Sequence, residues 1–128
     1  MKQQIIHTDN APAAIGPYVQ ATAFDRLIFT SGQLPIDPKT GELVKGGIEE
    51  QTQQSILNLK EILSAAGSSL SCVLKTNVYL KNMDDFAAMN KVYSKFFAQE
   101  YPARSAVQVA KLPKDALVEI EAVAYRKD

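Results

Sequence analysis

The sequence predicts an α+β fold, a two-layer sandwich of a six-stranded mixed sheet with two helices on one face. Three observations lead to this prediction. Six segments show the two-residue alternation or the β-branched and aromatic content of strands. Two longer segments repeat apolar residues at three- and four-residue spacing, as amphipathic helices do. Each helix carries one apolar stripe, so we expect both to pack on the same sheet face and to leave the other face bare.

The predicted element order is β-β-β-α-β-α-β-β, and its first three strands lie at about residues 3–7, 18–23 and 27–31. Residues 24–26 form the turn between the second and third strands. The third strand ends at Gly32, where a backbone without a side chain allows a ligand to approach closely. On the residues alone, the favoured interpretation is that Gly32 only ends the strand.

The first helix is predicted from Ile48 to about Ala66, with Gly67 placed to cap its C-terminus. Acidic residues in its first turn suit the helix dipole. The side of this helix that we expect to face the sheet comprises Thr52, Ile56, Leu59, Leu63 and Ala66. A fourth strand is expected from Val73 to Lys81, with one face more polar than the other.

The second helix is predicted to begin at Asp84 or Asp85 and to reach about Tyr101, because Pro102 cannot continue a helix. Its stripe comprises Phe86, Met89, Tyr93 and Phe96 or Phe97. The succession of strand, helix and strand in this half of the chain predicts a right-handed crossover between parallel neighbours.

The last two strands are predicted to pair as an antiparallel hairpin around a turn at residues 112–116. The fifth begins after Pro102, and the sixth spans residues 117–125. In such a hairpin Arg104 and Glu119 share one sheet face and lie about 13 Å apart along it. A bulge, a shifted register or a neighbouring subunit would have to close that distance. The apolar face expected under the helices carries Val118, Ile120, Ala122 and Ala124.

Composition excludes several classes of protein. The 128 residues are enough for one domain, residues 1–128, and 14 basic residues balance 14 acidic ones. A net charge of zero argues against a general nucleic-acid binder. One cysteine, Cys72, and one histidine, His7, predict neither an internal disulfide nor a His/Cys metal cluster. No signal-peptide pattern or membrane-length apolar run is visible, so we expect a cytoplasmic protein without a membrane segment.

Four separated motifs carry a resemblance to a known family. They are A-P-A-A-I-G-P-Y at 11–18, S-G-Q-L-P at 31–35, D-F-A-x-x-N-x-x-Y at 85–93, and P-A-R-S-x-V-x-x-A-x-L followed by V-E-I at 102–120. In this order they resemble the RidA (YjgF) family of reactive-intermediate deaminases, over essentially the whole chain. The resemblance implies a chorismate-mutase-like fold and a homotrimer, with the bare sheet faces turned inward and ligand clefts between subunits.

Arg104 and Glu119 are the candidate catalytic residues. A guanidinium binds a carboxylate with two parallel hydrogen bonds, and the resemblance implies that Arg104 grips the substrate carboxylate. On the residues alone, an ion pair between Arg104 and a glutamate is the alternative. Glu119 could position a water or shuttle a proton if burial raises its pKa. An interface salt bridge is the alternative for Glu119.

Five further positions are candidate substrate-binding residues. Tyr18, Ser31 and Asn90, with the Gly32 backbone, match positions that line the cleft in the family. Asn90 lies beside the apolar stripe of its helix and therefore needs a hydrogen-bond partner, for which a backbone group is the alternative. Ala106 stands where RidA-like proteins often have cysteine, which excludes a thiolate at this position and leaves a role for its backbone. Cys72 matches no site position, and we expect it to be structural.

The implied function is hydrolysis of 2-imino and 2-enamino acids, such as 2-aminoacrylate and 2-aminocrotonate, to 2-keto acids and ammonia. Orienting a carboxylate, holding one water and moving one proton suffice for this reaction, so no metal or cofactor is expected. One alternative is a non-catalytic trimer that binds small carboxylates in a regulatory or chaperone-like role. Translation inhibition by RNA cleavage is the weakest alternative, because a basic stripe interleaved with aromatic residues is absent from the sequence.

Overall fold

Six strands and two α-helices make up the fold that the computed structural model describes for residues 2–127. The strands are β1 (Gln4–Ile6), β2 (Ala21–Phe24), β3 (Leu27–Thr30), β4 (Val73–Leu80), β5 (Ala103–Gln108) and β6 (Val118–Tyr125). The helices are α1 (Ile48–Ala65) and α2 (Phe86–Phe96). Their order along the chain confirms the predicted order. None of the helices within these residues is long and apolar enough to cross a membrane.

All six strands form one mixed sheet in the order β1-β2-β3-β6-β4-β5. Every neighbouring pair is antiparallel except β4 and β5, which are parallel and are connected through α2. The predicted six-stranded mixed sheet and the parallel crossover are therefore confirmed.

The two helices lie on one face of this sheet, and the core fills the space between the layers. The stripe of α1 is buried as predicted. It packs over the helix-side residues of the central strands, which include Val78, Leu80, Val118, Ile120 and Ala122. Gly67 follows α1 with a φ of +81°, the left-handed conformation that glycine adopts most easily, and so ends the helix as expected.

The opposite face of the sheet carries no helix of the described chain. It exposes large apolar side chains along several strands, and 46% of the surface of Phe29 and 47% of that of Val107 remain accessible. Polar side chains, among them Asn77, Glu119 and Glu121, alternate with them along β4 and β6. We call this surface the bare face, and its presence confirms the prediction of an open sheet.

The predicted hairpin between the last two strands is wrong. Strand β4 lies between β5 and β6 and pairs with both. The crossover through α2 places β5 beside β4, so the chain must pass around the end of β4 to reach β6. Two backbone hydrogen bonds mark this passage, from Val109 N–H to Leu80 O (2.9 Å) and from Lys81 N–H to Leu117 O (3.0 Å). Strand β6 then takes the inner position between β3 and β4.

Helix α2 is shorter than predicted. It ends at Phe96 instead of reaching Tyr101, because Phe97 leaves the helical conformation with φ −115° and ψ 28°. This turn buries the Phe97 ring against Tyr93, with ring centroids 4.5 Å apart. Packing of an aromatic ring, and not Pro102, therefore ends the helix.

A register shift between Val73 and Lys75 changes the predicted faces of β4. Val73 is buried and Leu74 is exposed, although simple alternation assigns Leu74 to the same face as Val78. An extra residue on one strand of an antiparallel pair reverses which face the preceding side chains occupy.

Candidate functional site

Four of the candidate residues line one cavity of about 440 Å³ at the end of β3. They are Tyr18, Ser31, Gly32 and Glu119. The remaining wall is mostly apolar and comes from the loops at residues 12–15, 33–36 and 113–114. We call this cavity the glutamate pocket. Tyr18 lies in the loop before β2 instead of at the head of that strand, and about half of its surface is accessible.

Ser31 is held in place by the segment that leads into β2. Its N–H donates to Gln20 O (2.9 Å), and its hydroxyl donates to Val19 O (2.6 Å). Because the hydroxyl proton is engaged, the free lone pairs of Ser31 Oγ can serve other partners only as acceptors. The Ser31 hydroxyl in the glutamate pocket can therefore accept a hydrogen bond from an N–H or O–H group of a ligand.

Glu119 lies directly against Gly32. A Cβ atom at position 32 would come within 2.8 Å of Glu119 Cδ and 2.9 Å of its Oε2. Such distances are shorter than any ordinary contact, so only glycine at position 32 leaves room for the carboxylate. Gly32 therefore does more than end a strand, because its backbone forms the surface on which the carboxylate lies.

The environment of Glu119 favours its protonated form. Burial raises the pKa of the Glu119 carboxyl above its ordinary value, and the negative charge of Glu121 raises it further. Glu121 itself accepts hydrogen bonds from Asn77 Nδ2 (3.0 Å) and the Tyr79 hydroxyl (3.3 Å). Within residues 2–127 no donor reaches the Glu119 carboxylate, so its oxygens are available to a water or a ligand.

Gln20 holds one wall of the glutamate pocket, and sequence reasoning missed it. Its side chain is buried, and its Oε1 accepts the Thr8 N–H at 2.8 Å. Its Nε2 lies 2.8–3.3 Å from three carbonyl oxygens, those of Thr8, Ala11 and Pro12. One amide thus ties down the loop before β2. Nothing in the local pattern distinguishes this glutamine from an exposed one.

Asn58 on α1 holds the opposite wall and was also missed. Its Nδ2 donates to Leu34 O (3.1 Å) and Ile36 O (3.0 Å). Asn58 is buried beside the apolar stripe of α1, on a side of the helix that also buries the polar Gln51, Thr52 and Ser55. That position in the helical pattern is the signal that could have identified it, because a buried amide needs partners.

Arg104 and Asn90 line a different cavity, of about 430 Å³, which we call the arginine pocket. Arg104 Nη1 donates to Asn90 Oδ1 at 2.7 Å. The partner of Asn90 is therefore a side chain and not the backbone group that was the alternative. The guanidinium carbon lies 4.8 Å from the centroid of the Tyr93 ring and 5.4 Å from that of Phe86.

Arg104 and Glu119 do not share a sheet face, contrary to the prediction. Arg104 is opposite Thr76 in the parallel register, and Thr76 is opposite Ala122. These residues all face the helices, whereas Glu119 belongs to the bare face. Three positions along the sheet and two strands across it separate the Cα atoms of Arg104 and Glu119 by about 14 Å. The prediction of a shared face followed from the predicted hairpin between β5 and β6. Strand β5 pairs with β4 instead, and this pairing determines which of its side chains face the helices.

Ala106 also faces the helices, opposite Val78, and packs against the core. It lines neither the glutamate pocket nor the arginine pocket of the described chain. Cys72 is buried just before β4 and likewise lines neither pocket. No group of three or more His, Cys, Asp or Glu side chains within residues 2–127 could hold a metal ion.

Comparisons with known proteins cover almost all of this chain. The family model described as endoribonuclease L-PSP matches residues 8–126. A RutC family protein of Pyrococcus horikoshii is 56% identical over 98% of this chain and 99% of its own length. A 2-iminobutanoate/2-iminopropanoate deaminase of Capra hircus is 52% identical over 97% of this chain and 90% of its own. The crystal structure of E. coli TdcF with bound serine has a TM-score of 0.92 and 46% identity, over 97% of this chain and 99% of that one.

Proposed function

This chain belongs to the endoribonuclease L-PSP family, which includes the RidA proteins, and we propose that it hydrolyses reactive 2-imino and 2-enamino acids to 2-keto acids and ammonia. The expected substrates are 2-aminoacrylate and 2-aminocrotonate, with their imine forms. The observation that carries the proposal is the Glu119 carboxylate, which rests on the Gly32 backbone and accepts no hydrogen bond from the described residues.

The reaction needs one group that accepts a proton and then returns it. Water adds to the carbon of the protonated imine, and the π electrons of the C=N bond move to nitrogen. Glu119 takes a proton from this water and delivers it to the nitrogen. The oxygen lone pair then forms the carbonyl as the C–N bond breaks and ammonia leaves, and the hydroxyl proton passes to the departing ammonia, so that the products are the 2-keto acid and an ammonium ion. A carboxyl with a pKa above its ordinary value suits both transfers near neutral pH.

Arg104 is proposed to bind the substrate carboxylate. Its guanidinium offers a planar fork of N–H donors, of which one is engaged by Asn90. Ser31 can accept a hydrogen bond from the substrate nitrogen, and Tyr18 borders the same pocket. The Ala106 backbone is proposed to contact the substrate, as the family resemblance implies for this position.

We further propose a homotrimer with clefts between subunits, because one chain does not unite these groups. Arg104 and Glu119 lie on opposite sheet faces. In the proposed cleft, the arginine pocket of one subunit faces the glutamate pocket of the next. The exposed apolar side chains of the bare face support an assembly that covers them.

The first experiment couples this protein to a threonine dehydratase supplied with serine or threonine. Semicarbazide traps the free imine, so hydrolysis appears as less trapped product and faster 2-keto acid formation. We expect the wild type to lower the trapped imine and folded Arg104→Ala or Glu119→Gln to fail. If wild type binds 2-oxobutanoate but leaves the rate unchanged, the non-catalytic binder is the correct function.

A second experiment tests the shared cleft by mixing inactive variants. Arg104→Ala and Glu119→Gln subunits are unfolded together and refolded as mixed trimers. If each cleft takes one residue from each of two subunits, about a quarter of the clefts regain both native groups, and activity returns to about that fraction. No recovery in a mixture shown to contain mixed trimers would contradict the shared cleft.

A further inference from the structure

We propose that Phe86, Tyr93 and Thr76 are positioning residues that form a cradle for the Arg104 guanidinium and hold it ready for a carboxylate. The inference rests on the proposed function in one respect, the role of Arg104 in binding substrate. We call these three residues and Asn90 the guanidinium cradle.

Helix α2 supplies three members of the cradle from one face. Phe86, Asn90 and Tyr93 are spaced by four and three residues, so their side chains lie above one another along the helix. The guanidinium carbon lies 5.4 Å and 4.8 Å from the two ring centroids, within the range of cation–π attraction. The Asn90 amide oxygen fixes the rotation of the guanidinium through its 2.7 Å hydrogen bond.

Thr76 fixes the Tyr93 ring from the sheet. The two hydroxyls are 2.7 Å apart and buried. Thr76 is also the residue opposite Arg104 in the β4–β5 register, so it lies on the same face beside the arginine. Burial raises the pKa of the Tyr93 hydroxyl, which keeps the ring neutral. The ring therefore attracts the guanidinium through its π electrons and not through a phenolate charge.

The cradle holds the arginine without neutralising it. Within the described residues no carboxylate lies within ion-pair distance of Arg104. Two rings and an amide oxygen are its partners, and all of them are uncharged. An intersubunit or surface ion pair with a glutamate was the alternative for Arg104, and within one subunit no described glutamate makes that pair. The positive charge and most of the N–H donors stay available for an anionic ligand.

The test is chemical rescue of Arg104→Ala by guanidinium chloride at millimolar concentration, with sodium chloride at equal ionic strength as the reference. Binding of 2-oxobutanoate is measured by calorimetry, and imine hydrolysis is measured in parallel. We expect Arg104→Ala to weaken binding about 100-fold. Guanidinium should restore part of it, because the vacated cradle still binds the free cation.

Changes to the cradle decide whether it causes the rescue. Adding Tyr93→Leu to Arg104→Ala should raise the guanidinium concentration needed for rescue about three- to tenfold. Tyr93→Phe, which keeps the ring, should have a smaller effect. Phe96→Leu is the control, since Phe96 is an aromatic residue of α2 outside the arginine pocket. It should leave the rescue unchanged.

Absence of rescue in folded Arg104→Ala, or equal rescue with and without Tyr93→Leu, would overturn the cradle. A wild type that binds no 2-oxobutanoate would overturn it as well. If binding and rescue follow the expected pattern while the wild type hydrolyses no imine, the cradle stands and the proposed deaminase activity fails. The two readouts thus separate the two proposals.

Discussion

Among the individual residues, the contact between Gly32 and Glu119 has the most direct chemical consequence. The two residues come from different parts of the sheet, and the carboxylate occupies the space that a Cβ at position 32 would fill. Sequence motifs identified both positions, but the contact between them depends on how β3 and β6 pair. The structure therefore explains why a glycine is needed beside this glutamate.

Gly32→Ala should displace the Glu119 carboxylate and lower imine hydrolysis about tenfold or more, because the two groups cannot both fit. The semicarbazide-trapping assay measures the change. Gly47→Ala is the matched control, since a Cβ there would meet its nearest atom at an ordinary 3.9 Å and Gly47 lines neither pocket. Full activity in folded Gly32→Ala would show that the observed position of the carboxylate is not needed.

The raised pKa of Glu119 predicts a pH-dependent effect on stability. The folded protein binds this proton more tightly than the unfolded chain, so stability falls as pH rises from the unfolded pKa towards the folded one. Glu119→Gln removes this effect. Thermal unfolding of both proteins between about pH 4 and about pH 8 should show the variant gaining stability relative to wild type as pH rises. A difference that does not change with pH would contradict the raised pKa.

At the level of the helices, strands and loops, two buried side-chain amides hold the loops that form the walls of the glutamate pocket. Gln20 binds the loop before β2, and Asn58 of α1 binds the loop after β3. Periodicity correctly predicted α1 and its apolar stripe, because burial of one helix face leaves a repeating pattern. Periodicity could not predict the hydrogen-bond partners of Gln20, because these bonds depend on the conformation of a loop that has no periodic sequence pattern.

Gln20→Leu should destabilise the protein by about 1–3 kcal/mol, because it leaves buried backbone groups of the 8–12 loop without partners. Urea unfolding measures the loss, and faster hydrogen exchange at the Thr8 amide locates it. Gln53→Leu, at an exposed position of α1, is the control. Equal stability of the Gln20 and Gln53 variants would show that the loop is held by other contacts.

Across the complete chain, the bare face and the two separated pockets point to the same need for a partner subunit. An open sheet with exposed Phe29 and Val107 gains stability when another subunit covers it. The pockets divide the candidate residues between two sides of one chain. Each feature separately supports the proposed assembly.

Phe29→Lys should dissociate the proposed trimer, because it places a charge within the apolar part of the bare face. Activity should fall with it, although both pockets keep their residues. Sedimentation velocity measures the oligomeric state. Ser64→Lys on the exposed side of α1 is the control and should remain assembled. A Phe29→Lys protein that stays trimeric would contradict an inward-facing bare face.

Local sequence was sufficient to predict the order of the helices and strands, the stripe of α1, the glycine that ends it and the motifs that carry the family resemblance. These features are local, since periodicity and backbone preference act within a few residues. The position of β4 between β5 and β6 emerged only from the folded chain, and with it the placement of Arg104 and Glu119 on opposite faces. The sheet face that a residue occupies depends on the partner strand and on the register of the pairing, because a shift of one position moves every side chain to the opposite face. The alternation within a single strand contains no information on either.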